Sequence, residues 1–119
     1  MTITSQELQV LLSNHYGTSN HFRHSFTKML YTDGVKAFAE NAEAYWFLDI
    51  ISTEVLQKQS VEEFINVVLK VSEKLSAVIT ADDGNGNVFW TKRVPYTDCP
   101  EGDWKFYLVN GVLILPSEN

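Results

Sequence analysis

One cysteine, Cys99, three prolines and six glycines are all that 119 residues carry of those types. The lone cysteine excludes a disulfide scaffold, and so little Gly and Pro excludes collagen-like or low-complexity repetition. Long apolar runs are missing too: the longest, Ala44 to Leu48, has five residues, whereas a membrane-spanning helix needs roughly 18 or more. Basic residues are scarce. Nine Lys and Arg stand against fifteen Asp and Glu, a net charge of −6. That is the wrong sign for an electrostatic footprint on phosphate, so nucleic-acid binding is disfavoured, and the mild, scattered acidity is read as serving solubility. The first cation is Arg23, so the start has neither the basic nor the apolar region of a secretory leader. With one cysteine, this reads as a cytoplasmic protein.

Aromatics, in contrast, are plentiful. Seven Phe, five Tyr and three Trp within a 45% hydrophobic composition exclude disorder and can fill a core without disulfides or a structural metal. The length predicts a single domain over residues 1–119.

The apolar pattern has two halves, a helical part over about 1–60 and an antiparallel sheet over about 61–119. Thr4 and Glu7 have capping-box spacing before Leu8, Leu11 and Leu12, and that pattern stops near Asn14 to Gly17. Gly17 to Phe26 is polar and reads as a loop. Asp33 is placed to cap a helix beginning at Gly34 or Val35. A further helix, or a continuation, is expected from about Ala42 to Gln57, with Ala44, Phe47, Leu48, Ile51 and Val55 on one stripe facing the core. Trp46 and Ile50 lie round on the other side with Tyr45 on a flank. Either that helix is buried on two sides or it exposes a patch.

From Glu63 onward, Ile65, Val67, Leu69 and Val71 alternate with Phe64, Asn66, Val68 and Lys70, predicting a strand with one wholly apolar face. Ala77 to Ala81 and Val88 to Val94 follow as strands about a turn containing Asn85-Gly86, a strong hairpin signal. Trp104 to Asn110 and Val112 to Leu115 supply the last strands around Asn110-Gly111. The expected fold is α+β: N-terminal helices packed on one face of a four- or five-stranded antiparallel meander.

Candidate chemistry is sparse. His15, His21 and His24 are all the histidines, but His21 and His24 do not sit in a helical pattern and lack a nearby third ligand, so no metal site is assigned. Ser25 and Lys28 match S-x-x-K by chance, since its companion motifs are absent. The acidic Asp98 beside Cys99 blunts that thiol. Asp82, Asp83, Asn85 and Asn87 are oxygen-rich, yet a strand resumes at Val88 where a calcium loop would continue. A catalytic alternative remains in the polar loop, where Arg23 can hold an anion and His21 or His24, with Asp33, can move a proton. These loop residues have no apolar period to bury them and are expected to matter more to function than to folding. No cofactor fingerprint is present.

Several short segments carry a likeness: Gly17-Thr18-Ser19-Asn20-His21-Phe22-Arg23-His24, Leu30-Tyr31-Thr32-Asp33-Gly34-Val35, Ala44-Tyr45-Trp46 with Leu48-Asp49, Asp83-Gly84-Asn85-Gly86-Asn87-Val88, Pro95-Tyr96-Thr97-Asp98 and Leu115-Pro116-Ser117-Glu118. Together they resemble an uncharacterised family of small bacterial and phage proteins, a domain of unknown function, over most of the chain from about Gly17. The resemblance implies a single domain and a phage or mobile-element origin. It brings no activity, cofactor or catalytic residue.

The reading is therefore a non-enzymatic accessory or inhibitor protein that binds a protein partner or a second copy of itself, with neither nucleic acid nor membrane as partner. Tyr45, Trp46, Asp49 and Ile50 form the expected contact surface. A small enzyme built on His21, Arg23, His24 and Asp33 is one alternative and a structural homo-oligomer another.

Overall fold

The Thr4 hydroxyl accepts the Glu7 N–H at 3.1 Å while the Glu7 carboxylate accepts the Thr4 N–H at 3.1 Å, so the first helix begins in the expected capping box. The computed structural model, which describes residues 3–15, 20–25 and 27–118, continues from there through α1 (Ser5–Ser13), β1 (His21–Arg23), β2 (Leu30–Thr32), α2 (Asp33–Asn41) and α3 (Tyr45–Ile50). The helical path then widens into a π turn over Ile51–Val55 and tightens into a 3-10 turn over Leu56–Ser60. Five strands follow: β3 (Phe64–Val71), β4 (Ala77–Asp82), β5 (Val88–Val94), β6 (Gly102–Val109) and β7 (Val112–Ile114), then a 3-10 turn at Pro116–Glu118.

The fold is α+β, but its sheet is larger than the expected meander. Among the described residues seven strands pair in the order β1-β2-β7-β6-β3-β4-β5. β2 lies parallel to β7, with Leu30 opposite Val112 and Tyr31 opposite Leu113; the other pairs are antiparallel. β1 and β2 therefore belong to the sheet although they lie in the half that reads as helical. Each has only three residues, too few to complete a period-2 pattern.

Two helix boundaries also differ from expectation. Thr32, not Asp33, caps α2, its hydroxyl accepting the Val35 N–H at 3.4 Å, and Asp33 is the first helical residue. The helix expected from Ala42 starts at Tyr45, because Glu43 takes a φ of 54°, a left-handed conformation that ends α2. Beyond Ile50, Leu56 N–H bonds to Ile51 O, closing the wide turn. The Ser52 and Thr53 hydroxyls donate to Asp49 O at 3.0 and 2.7 Å, satisfying a carbonyl at the point where the helical bonding pattern changes.

The core lies between the helices and one sheet face. Ile65, Val67, Leu69 and Val71 of β3 are buried with Trp104, Phe106 and Leu108 of β6 and Ala77, Ile79 and Ala81 of β4, and the pairing register aligns these rows. Ala44, Phe47, Leu48, Ile51 and Val55 pack on them as the stripe predicts. Phe38 and Phe47 place their rings 4.9 and 4.8 Å from that of Phe106, aromatic contacts that add to the area they bury. Between β6 and β7, Asn110 at φ 52° and Gly111 at φ 76° form a two-residue turn, the doubly positive geometry that Asn-Gly supplies. The Asp83–Asn87 segment joins β4 to β5 as a hairpin, though positive φ falls on Gly84 and Gly86, not on Asn85.

Candidate functional site

Where β1 ends, the chain bends toward α3. His24 N–H bonds to Met29 O at 2.9 Å, and the imidazole is buried at 7% exposure with Nε2 2.7 Å from Asp49 Oδ1. The polar segment thus buries one of its histidines after all, with Asp49 near the end of α3 against its ring. Asp49 itself is 64% exposed, so the pair has a dry side and a wet side.

Tyr45 stands one helical turn before Asp49 on the same flank of α3. Its hydroxyl bonds to Glu40 Oε1 at 3.3 Å, and Glu40 is 3.8 Å from Lys36 Nζ on α2. The Lys36 ammonium lies 4.2 Å over the Phe22 ring, and Phe22 stacks on Tyr31 with centroids 5.8 Å apart. This surface thus joins β1, β2, α2 and α3. Burial and then the Glu40 carboxylate push the Tyr31 phenol above its ordinary value; the same two causes, with Tyr31 and the Glu40 hydrogen bond, raise Tyr45. Both remain protonated at neutral pH, as hydrogen-bonding and stacking groups rather than nucleophiles.

The sequence candidates separate. His21 and Arg23 are exposed and pair with Thr32 and Leu30, on the sheet face opposite Phe22 and the helices. His24 lies on the helix side with Asp49. Asp33 is half-buried in the first turn of α2. Of the four residues on the expected contact surface, Tyr45 and Asp49 are exposed, whereas Trp46 and Ile50 are half-buried and packed against the core. Cys99 is fully buried, and burial pushes its thiol up to about 12. Among the described residues no three His, Cys, Asp or Glu side chains gather as metal ligands.

One buried ionic arrangement escapes a sequence reading. Glu118 accepts the Thr32 hydroxyl at 2.6 Å and the Leu115 N–H at 3.0 Å on Oε1, and the Gly34 N–H at 3.2 Å on Oε2. Its carboxylate thereby meets the N-terminus of α2, where charge and unpaired amides favour an anion. The signal was in the segments that carry the likeness, which contain Thr32, Gly34 and Glu118 without indicating that they meet. The Phe22, His24, Tyr31, Tyr45 and Asp49 segments meet likewise.

These features define the class: an α+β domain with its helices on one face of a mixed sheet. The chain belongs to DUF6876, a family of unknown function, whose model matches residues 6–119. No curated protein and no solved structure matches the chain. Among the described residues no helix is long and apolar enough to cross a membrane.

Proposed function

We propose that the protein is a non-enzymatic binding protein, a cytoplasmic accessory or inhibitor of phage or mobile-element origin that engages a protein partner through the outer flank of α3. The observation that carries this reading is the pairing of exposed Tyr45 and Asp49 on one flank, each tied to a neighbouring element, through Glu40 and His24. A phenol with two rotatable bonds and fixed neighbours loses little entropy on contact, which is why such groups anchor interfaces. Trp46 and Ile50 support that flank from beneath.

The test is capture by the full chain followed by affinity measurement on the purified partner. Tyr45→Ala is expected to weaken binding by about tenfold or more, equivalent to about 1.4 kcal/mol, while Glu73→Ala in the distant β3–β4 turn leaves it unchanged. A partner that tolerates both substitutions equally, or sedimentation that shows only a second copy bound, overturns this reading; the latter outcome puts the homo-oligomer in its place.

The His24–Asp49 contact also favours a second reading, a small enzyme in which the carboxylate orients the imidazole for proton transfer. An activity lost in both His24→Gln and Asp49→Asn would put that reading first.

A further inference from the structure

The core side of the sheet is covered by helices; on the other side the end of α1 and the C-terminal turn reach the β6 edge, where Leu12, Ser13 and Pro116 line a recess with Asp103 and Lys105. Val68, at the middle of that second face, is 8% exposed yet lies outside the core cluster, sheltered by its neighbours in the sheet.

Register fixes what shares this face. Lys70 sits between Asp103 of β6 and Val78 of β4, and Val78 sits beside Arg93 of β5. In the next row Lys105 lies opposite Val68. One row further, Tyr107 lies opposite Asn66, and its ring is 4.8 Å from that of Phe64. None of Lys70, Arg93 and Lys105 forms an ion pair among the described residues. Asp82, the other acid on the face, accepts bonds from Asn66 Nδ2 at 3.0 Å and Gly84 N–H at 2.7 Å. A chain with a net charge of −6 thus turns outward an aromatic-bearing surface on which Lys70, Arg93 and Lys105 outnumber Asp82 and Asp103. At the corner where β4 begins and β5 ends, Ser76, Val78, Arg93 and Pro95 line a cavity of about 440 Å³ with Ala77 and Val94.

We propose that this open sheet face docks single-stranded nucleic acid, with Arg93, Lys70 and Lys105 on phosphates and Tyr107, backed by Phe64, under a base. The charge average that argues against such a ligand sums two unlike faces, and the ligand meets only one of them. A second copy is disfavoured, since stacking this face on itself would bring like charges together. Single strands suit the surface better than duplex: a flat sheet offers bases a stacking surface, whereas a duplex keeps its bases stacked inside. From β7 to β5 the face is about 19 Å wide at about 4.8 Å per strand. That suits the short end of the ~4–16 nucleotides such platforms take.

The test is fluorescence anisotropy of the full chain with a labelled pyrimidine strand of about 12 nucleotides. Three phosphate contacts, at about 0.7 each on a single strand, give a log–log salt slope near −2, a loss of about tenfold or more between ~50 and ~200 mM salt. Lys70→Ala combined with Arg93→Ala should bring that slope closer to zero by about 1.4. Tyr107→Leu should weaken binding about fivefold or more with the slope unchanged. Lys36→Ala and Tyr45→Ala on the helix side should do neither, which keeps this result separable from the α3 proposal. The unfolding midpoints of all variants establish that they are folded, and Lys105→Ala replaces any that is not. No binding at ~50 mM salt, equal binding of duplex, full competition by oligo-glutamate, or binding indifferent to the sheet-face substitutions would each overturn the proposal, leaving the cations as charges that keep an open sheet from aggregating.

Discussion

Glu118 and Thr32, 86 residues apart, meet through a 2.6 Å hydrogen bond that fastens the last turn of the described chain to the N-terminus of α2. The same carboxylate also holds the Gly34 and Leu115 amides, so one side chain satisfies three donors. Glu118→Ala should therefore destabilise the domain by about 3 kcal/mol, the scale expected when buried donors lose a charged acceptor. Urea unfolding checks this. A loss below about 0.5 kcal/mol would mean water replaces the carboxylate without penalty.

Gly34 makes that approach feasible. A Cβ there would lie 2.5 Å from Leu115 Cδ1 and 2.6 Å from Glu118 Oε1. In an open helix Gly→Ala stabilises by about 1 kcal/mol; here crowding should reverse the sign and cost about 1 to 3 kcal/mol. Pairing the substitution with Leu115→Ala, which removes one clashing group, should give a cost smaller than the sum of the two.

Cys99 should be chemically silent in the folded protein. Full burial removes access, and its thiol is pushed up to about 12, so little thiolate exists at neutral pH. Iodoacetamide labelling at mildly alkaline pH should proceed at the rate of unfolding and accelerate with added urea. Rapid labelling of the native protein would show that the Thr97–Cys99 segment opens on its own.

In the β4–β5 hairpin, the Asn87 side-chain amide and then the Asn85 N–H hold the Asp83 carboxyl below the ordinary aspartate range. The bonds run to Oδ2 at 2.8 Å from Asn87 Nδ2 and to Oδ1 at 2.8 Å from Asn85 N–H. A lowered folded pKa means the hairpin's contribution is complete above the ordinary aspartate value and is lost as pH falls through the lowered one. Carboxyl-carbon NMR should show Asp83 titrating below ordinary aspartates. Because its oxygens already serve the turn, millimolar calcium should leave the thermal midpoint unmoved; a rise abolished by Asp83→Ala would contradict that.

What the sequence discloses follows the length of the repeats it contains. The β3 alternation and the Ala44-to-Val55 stripe extend over several periods, and both place their buried residues where the structure has them. β1 and β2 have three residues each, and the parallel partner of β2, β7, lies about 80 residues away, so neither periodicity nor turn chemistry announces them. The same holds for the candidate sites. His24 meets Asp49 and Thr32 meets Glu118 only because the fold closes long loops. The open sheet face depends on register, since a one-residue slip would send Lys70 and Lys105 to the core side.

His24 offers the sharpest comparison between folding and function. The ring is buried while Asp49 is 64% exposed, so the two partners of one 2.7 Å contact should respond unequally to substitution. His24→Ala removes a packed ring and should cost about 2 kcal/mol, as cavity-forming changes do. Asp49→Ala removes a solvated carboxylate and should cost below about 1 kcal/mol. Urea denaturation of both single variants and of the double variant measures the coupling. Weak coupling with this asymmetry would make His24 a packing residue that positions α3, leaving Asp49 available at the surface. Strong coupling, with Asp49→Ala as damaging as His24→Ala, would instead make the pair one unit, the arrangement the enzyme reading requires.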